Sequence, residues 1–398
     1  MKRILFVIES LVCAGAEKSL VTLLNLIDYS QYSVDLQLFS YGGEFETMLP
    51  AEVNLLPPLP YFSATEEPLK SVLTRKLSAQ ERRFLQGRLR YSAALRTGKY
   101  NNPQKAVLFW RNTHSCFETY EKEYDVAIAY AQGTPTFYVA DCVKAKKKFA
   151  WVNACYALNG WFQRFATKKY GAFHKIVCVS DANEEFFQKY FPTLDPYTTV
   201  ICDINDGALI ERMSGMESSA ATDMAGDGYK ILTIGRLAVQ KGYDIALEAC
   251  RILRDRGIQF TWYVLGRGTL EEEIRMSIKE KDIEKYFVLL GTRANPYPYI
   301  KQADVYVQTS RFEGFGLAIA EARMLNTPVV TTRFDAVYAQ MIEGENGLVT
   351  DVNAQAVADG IQRLLDDKEL YDHIVAFQKT EKKGNYEEIR KFYTLIEA

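Results

Sequence analysis

At 398 residues, with 48% hydrophobic and 25% charged side chains, the chain is globular and long enough for two domains with a core each. A formal net charge of -2 leaves no global footprint for nucleic acid. The seven cysteines (Cys13, Cys116, Cys142, Cys155, Cys178, Cys202 and Cys250) are odd in number and form no C-x-x-C pair, which argues against a disulfide framework or a zinc site and suits a reducing cytoplasm.

The opening "MKRILFVIES" is too short in apolar residues for a signal-peptide core, and no later run approaches a membrane span. The expectation is a cytoplasmic protein, or one peripheral on the inner face of the plasma membrane. Residues 3–10 read as a buried strand, followed by the small-residue loop "CAGAEKS" and an amphipathic helix through Leu20, Leu23, Leu24 and Ile27. From Leu69 to Arg111 there are eleven lysines or arginines and a single acid, Glu81, with Leu69, Leu73, Leu77, Phe84, Leu85 and Leu89 at helical spacing. Such a basic amphipathic segment reads as a dock for an anionic membrane surface, at about 1 kcal/mol per basic residue near the lipid. The alternative is a solvated basic face packed by its apolar side on the domain, gripping an acidic acceptor.

Strands are expected at 124–131, 147–152, 175–180 and 198–203, and the Ser, Ala, Gly and Asp-rich stretch 211–229 reads as an exposed linker or loop. A second series follows at 230–235, 260–266, 286–291, 304–310 and 328–332, with helical segments between. Alternation of this kind means parallel sheets covered on both faces. The fold class is therefore α/β, with two doubly wound, Rossmann-like domains facing across a cleft, 1–205 and 206–398. The end of the chain, about 385–398, reads as a helix with Tyr386, Ile389, Phe392, Tyr393 and Ile396 near one face.

Ligands of open parallel sheets bind beyond the carboxyl ends of the strands. In the second series those ends carry Arg236 and Lys241 after "KILTIG", a glycine-bounded turn at Gly266 and Gly268, a loop with Arg293 and Tyr297, and then "SRFEGFGLAIAEARMLNTPVV". Neither G-x-G-x-x-G nor G-x-x-x-x-G-K-[ST] occurs, so dinucleotide and nucleoside triphosphatase readings lack support. Singly, arginines and lysines at strand ends are usually solvated surface charges, and a lone G-x-G is more often a turn than a site. Glu321 is different: Leu317, Ala318, Met324 and Leu325 place it on the apolar face of a helix, where a carboxylate needs a partner. Glu313 stands beside two glycines just ahead of the same helix. Arg236 and Lys241 suit a diphosphate, helix N-terminal amides near Gly314 to Leu317 add positive potential, and carboxylates accept from hydroxyls. Together they describe a nucleotide sugar, with Glu321 on the ribose and Glu313 on the sugar.

The Gly-Arg pair with its following lysine, the glycine turn after the next strand, and the Glu-x7-Glu of "EGFGLAIAE" resemble the family 4 retaining glycosyltransferases, also called glycosyltransferase group 1, which have the GT-B architecture. "AGAEKSL" looks like that family's Gly-Gly-Ala-Glu loop with Ala14 in place of the first glycine. The resemblance implies donor-diphosphate contacts by Arg236 and Lys241, ribose contacts by Glu321, and a sugar held by Glu313 with Gly314, Phe315, Gly316 and Leu317. It places Gly15 against the donor from the facing domain and the base at 292–297, beside Arg293. It also implies that the last helix crosses back to the first domain, and a metal-independent reaction in which the acceptor attacks on the face the phosphate leaves. Arg236, Lys241 and Glu313 would carry the chemistry, and no convincing Asp-x-Asp motif is present. Asn153 stands where many relatives have histidine; it can contact a sugar hydroxyl but cannot carry a proton at neutral pH. The expected activity is transfer of a hexose-type sugar from a UDP-linked donor to a glycan or polyprenyl-linked acceptor of surface polysaccharide, with no nucleic-acid partner and no cofactor. The rivals are a non-catalytic GT-B partner subunit and a nucleotide-sugar epimerase or hydrolase.

Overall fold

The computed structural model describes residues 1–398 apart from 13, 14, 75, 155, 156, 217 and 314, and apart from the side chains of 69 and 73. The chain divides into two compact units: one of residues 1–12, 16–202 and 389–398, the other of residues 13–15 and 203–388.

In the first unit β1 (Lys2–Ile8), β2 (Tyr32–Leu38), β3 (Asn54–Leu55), β4 (Glu123–Ala129), β5 (Lys144–Val152), β6 (Lys175–Cys178) and β7 (Thr198–Val200) form a seven-stranded parallel sheet in the order β3-β2-β1-β4-β5-β6-β7. Both faces of its centre are covered, so Ile4 to Ile8 form an unbroken apolar run with every side chain buried. β2 is harder to recognise in the sequence because it carries Asp35 and Gln37 inward. Asp35 is accommodated by Asn54 Nδ2 at 2.8 Å, Tyr124 Oη at 2.6 Å and the ammonium of Lys122. Burial pushes its carboxyl up, but these donors outweigh it and the net shift is downward.

The segment read as one basic amphipathic stretch is three helices, Leu69–Leu73, Ala79–Leu95 and Asn102–Thr113. Capping boxes break it at Ser78 with Glu81 and at Asn101 with Gln104, each satisfying backbone N–H groups that a continuous helix would have used. The apolar side of Ala79–Leu95 turns inward at Phe84, which meets Tyr61 edge-on at 5.5 Å, whereas Leu89 is 48% exposed.

The last helix, Glu388–Glu397, is part of the first unit from Ile389 onward. Phe392 stacks on Phe6 at 6.2 Å and Tyr393 on Tyr32 at 5.5 Å, and Tyr32 Oη donates to Glu397 at 2.6 Å.

In the second unit β8 (Tyr229–Ile234), β9 (Phe260–Leu265), β10 (Phe287–Gly291), β11 (Val305–Gln308), β12 (Val329–Thr332) and β13 (Leu348–Thr350) form a six-stranded parallel sheet in the order β10-β9-β8-β11-β12-β13. Its core gathers Ile231, Trp262, Val264, Val305, Val307 and Val330 with the inward face of the Tyr243–Asp255 helix. Trp262 buries its ring completely and satisfies its indole N–H on Thr233 Oγ1 at 2.9 Å.

The stretch 211–229 is not a free linker. Within it the helix Gly207–Ser214 ends and the helix Ala220–Asp223 forms, both packed on the Tyr297–Gln302 helix, and Met213, Ala220 and Met224 are buried. Small residues that read as loop composition are used here for close packing. Asp223 fastens the segment by accepting from Tyr299 Oη at 2.5 Å, Ser219 Oγ at 2.8 Å and Arg293 at 2.9 Å.

Candidate active site

The strand order of the second sheet reverses between β8 and β11, and the carboxyl ends of strands at such a switch point are where open parallel sheets bind ligands. The β8 loop carries Arg236 and Lys241, and the β11 loop carries Glu313. The two are laced by backbone and side-chain bonds: Arg311 N–H to Gln240 O at 2.8 Å, Thr309 Oγ1 to Lys241 O at 2.9 Å, and Gln240 Nε2 to Phe312 O at 3.0 Å. Arg311 adds a two-pronged ion pair to Asp244 at 2.9 and 2.6 Å. Gly242, at φ +64°, makes this approach possible, since a Cβ there would lie 2.1 Å from Thr309 O. Gly266 does the same between the β8 and β9 ends, where a Cβ would lie 2.0 Å from Gly235 O.

Lys241 Nζ lies 2.5 Å from Glu313 Oε1, with their side chains 21% and 9% exposed. The same oxygen accepts from Gln308 Nε2 at 2.8 Å and Ser310 Oγ at 2.5 Å. Glu313 is thus held by three donors, and with its side chain largely buried such charge-assisted bonds are stronger than on an open surface. Sequence reasoning missed Gln308, Ser310 and Tyr306. The available signal was their alternation along "VYVQTS", which puts 306, 308 and 310 on one face of the strand and its extension.

Glu321 is 3% exposed in the Leu317–Met324 helix, so the expectation that it occupies the buried face holds. Gly316 caps that helix at φ +82°, and the Gln340 side chain donates to the carbonyls of Phe315 and Gly316, fixing the turn. Gly314 lies outside the described residues, as does Ala14.

Arg236 is exposed and has no ion pair among the described residues, while the stem of Lys241 lies over the neighbouring Gly235. Arg293 is placed otherwise. Its guanidinium grips Asp223, Tyr299 Oη and the carbonyls of Leu290 and Thr292, so it fastens the 211–229 segment. Arg293, Tyr299 and Ser219 hold the Asp223 carboxyl down at about 2, the hydrogen bond from Tyr299 contributing most.

Gly15 opens the Gly15–Leu26 helix that follows β1. Asn153 follows β5, where its amide donates to Tyr130 O at 2.6 Å and its backbone N–H to Gln132 Oε1 at 3.0 Å. Its Oδ1 is buried with no partner among the described residues. Of the histidines, His373 pairs with Glu345 at 2.9 Å on the surface and His174 accepts from the Lys148 amide at 3.1 Å. Among the described residues no group of three or more His, Cys, Asp or Glu side chains comes together to hold a metal ion.

Two parallel-sheet, Rossmann-like units are the layout of the GT-B fold. Residues 217–380, most of the second unit, match the model of the family "Glycosyl transferases group 1". Among solved structures, Anabaena HepE in complex with UDP and glucose superposes over 100% of both chains with a TM-score of 0.71 at 19% identity. The lipopolysaccharide glycosyltransferase WaaG superposes over 99% of both with a TM-score of 0.63 at 13% identity. Among curated proteins, the amylovoran biosynthesis glycosyltransferase AmsK of Erwinia amylovora is 31% identical over 144 residues, which are 34% of this chain and 35% of AmsK. The N-acetylgalactosamine-N,N'-diacetylbacillosaminyl-diphospho-undecaprenol 4-alpha-N-acetylgalactosaminyltransferase of Campylobacter jejuni is 28% identical over 40% of this chain and 43% of its own length. The chain thus matches less than half the length of these two relatives.

Proposed function

We propose that the protein is a glycosyltransferase of surface polysaccharide assembly. It moves a hexose-type sugar from a UDP-linked donor to a glycan or polyprenyl-linked acceptor, with retention of the anomeric configuration and without a metal. The observation that carries this reading is the meeting of Lys241 and Glu313 at the switch point, with Glu321 buried in the helix that follows. Arg236, exposed and without an ion pair among the described residues, meets the diphosphate as a guanidinium fork, and Lys241 meets it as a point charge. Glu321 accepts from the ribose hydroxyls and Glu313 from a sugar hydroxyl. Leu317 and the preceding Phe315–Gly316 turn bring helix N-terminal amides toward the charge that grows on the departing phosphate. Asn153 offers its carbonyl oxygen, which has no partner among the described residues, to a hydroxyl and takes no part in proton transfer. The seating of the base stays with the 292–297 loop, whose shape Arg293 maintains through Asp223.

The choice of UDP is supported by the UDP bound in the structurally similar HepE, and the lipid-linked acceptor by the name of the Campylobacter relative. Among the described residues no helix is long and apolar enough to cross a membrane. The Ala79–Leu95 helix and its end expose Arg82, Arg90, Arg96 and Lys99 around Leu89, a face suited to anionic lipid at the site of acceptor supply. The test is a thermal-shift panel of UDP, GDP, ADP, CMP and their sugar conjugates without added metal, with Lys241→Ala as control. One nucleotide that stabilises the wild type and not the variant is the expected result. No shift with any nucleotide would overturn the reading and favour a partner-subunit role.

A further inference from the structure

All three donors on Glu313 converge on Oε1, while Oε2 makes no hydrogen bond among the described residues. That asymmetry has an identifiable origin. Gln308 is 2% exposed and is oriented from behind: Tyr306 Oη, in a fully buried phenol, donates to Gln308 Oε1 at 2.6 Å. With its oxygen engaged there, the amide presents Nε2 to Ser310 Oγ at 2.8 Å and to Glu313 Oε1 at 2.8 Å. The flipped amide would set its oxygen against the Glu313 carboxylate, oxygen facing oxygen, and is disfavoured. Burial holds the Tyr306 phenol well above its ordinary range, so it remains a donor. Thr332 Oγ1, donating to Ser310 O at 2.5 Å, ties the end of this strand to β12.

We propose that Gln308, with its amide oriented by Tyr306, is a positioning residue that anchors one oxygen of Glu313 and leaves the other as acceptor for the donor's sugar. The relay Tyr306, Gln308, Glu313 therefore governs recognition of the sugar rather than of the nucleotide. It rests on the assignment of Glu313 to the sugar made above. A Lys241–Glu313 ion pair alone would let the carboxylate rotate about its last torsion, which is broad and two-fold. A neutral amide in a fixed plane removes that freedom without adding charge beside the diphosphate.

The experiment measures binding of UDP, GDP and ADP, and of their glucose, galactose and N-acetylglucosamine conjugates, by titration calorimetry on wild type, Gln308→Met and Tyr306→Phe. For the nucleotide that binds, the variants should keep the affinity for the free diphosphate within about twofold. The extra affinity of the sugar conjugate should fall about tenfold in Gln308→Met, the scale of one charge-assisted hydrogen bond, and less in Tyr306→Phe, where the amide keeps its place but loses its orientation. Parallel losses for diphosphate and conjugate, accompanied by a lowered Tm, would show a merely structural residue and overturn the proposal. So would an unchanged ratio in both variants. Should Gln308→Met not fold, Tyr306→Phe decides alone. A wild type that binds no nucleotide overturns the donor-site assignment itself, and the relay with it.

Discussion

Gly242→Ala tests the closeness of the two loops that make the site. Gly242 adopts φ +64°, ψ 38°, directly after Lys241 and at the start of the Tyr243–Asp255 helix. An alanine Cβ would stand 2.1 Å from the carbonyl oxygen of Thr309 and 3.1 Å from its carbon, both backbone atoms that cannot rotate aside. Left-handed backbone costs a non-glycine residue roughly 1–2 kcal/mol, and forcing an extra methyl into packed surroundings costs about 1–3 kcal/mol more. The sum, about 2–5 kcal/mol, corresponds to a drop of about 4–20 °C in the melting of a unit of this size. Relief can come only by parting the β8 and β11 loops, which lengthens the Lys241–Glu313 contact of 2.5 Å and loosens the grip on the sugar. Differential scanning calorimetry and titration with the nucleotide-sugar donor read the two effects. A melting temperature within about 2 °C of wild type together with unaltered donor binding would refute the reasoning.

Glu313→Gln should release Lys241 to the diphosphate, so free UDP binds as well as before or up to about fivefold tighter while the advantage of the sugar conjugate disappears; titration calorimetry checks both. Glu321→Gln should weaken the nucleotide itself by about 10- to 100-fold, as expected for hydroxyls losing a charged acceptor, with free diphosphate and conjugate affected alike. Asp223, with its carboxyl depressed to about 2, contributes stability that is fully present above its unfolded value near 3.8 and is lost as pH falls through about 2. Because its side chain is 23% exposed, we expect only about 1–2 kcal/mol from it. Acid titration of Asp223→Asn against wild type should show a gap at pH 5–7 that closes between about pH 4 and 2. Neutralising Arg82, Arg90 and Arg96 to Gln should cut co-sedimentation with anionic vesicles by roughly 100-fold, at about 1 kcal/mol per charge, and leave binding to neutral vesicles unchanged.

The strands that were legible in the sequence are those buried on both faces, such as "RILFVI" and "FTWYVL", where continuous apolar runs meet turn residues. β2 was missed because its buried Asp35 and Gln37 are satisfied by partners distant in sequence, and β13 because three residues carry too little pattern. The 211–229 stretch misled for a related reason: its anchor, Asp223 on Arg293 and Tyr299, spans some seventy residues. The partners of Arg293 were not legible either, since a strand-end position does not reveal that Asp223 and Tyr299 hold the side chain. The places of Lys241, Glu313 and Glu321 in the fold were readable because strand ends of an α/β sheet and helical periodicity fix them. The amide that orients Glu313 was not, because a glutamine in a strand looks like any polar residue until its neighbours are known.

The most direct measurement is the structure of the protein soaked or co-crystallised with UDP and its hexose conjugates. The account predicts density at the carboxyl ends of β8 and β11, the diphosphate within hydrogen-bond reach of Arg236 and Lys241, the ribose on Glu321, and the sugar on Glu313 Oε2. A nucleotide bound elsewhere, or a ribose and diphosphate in place with Glu313 turned away from the sugar, would contradict it.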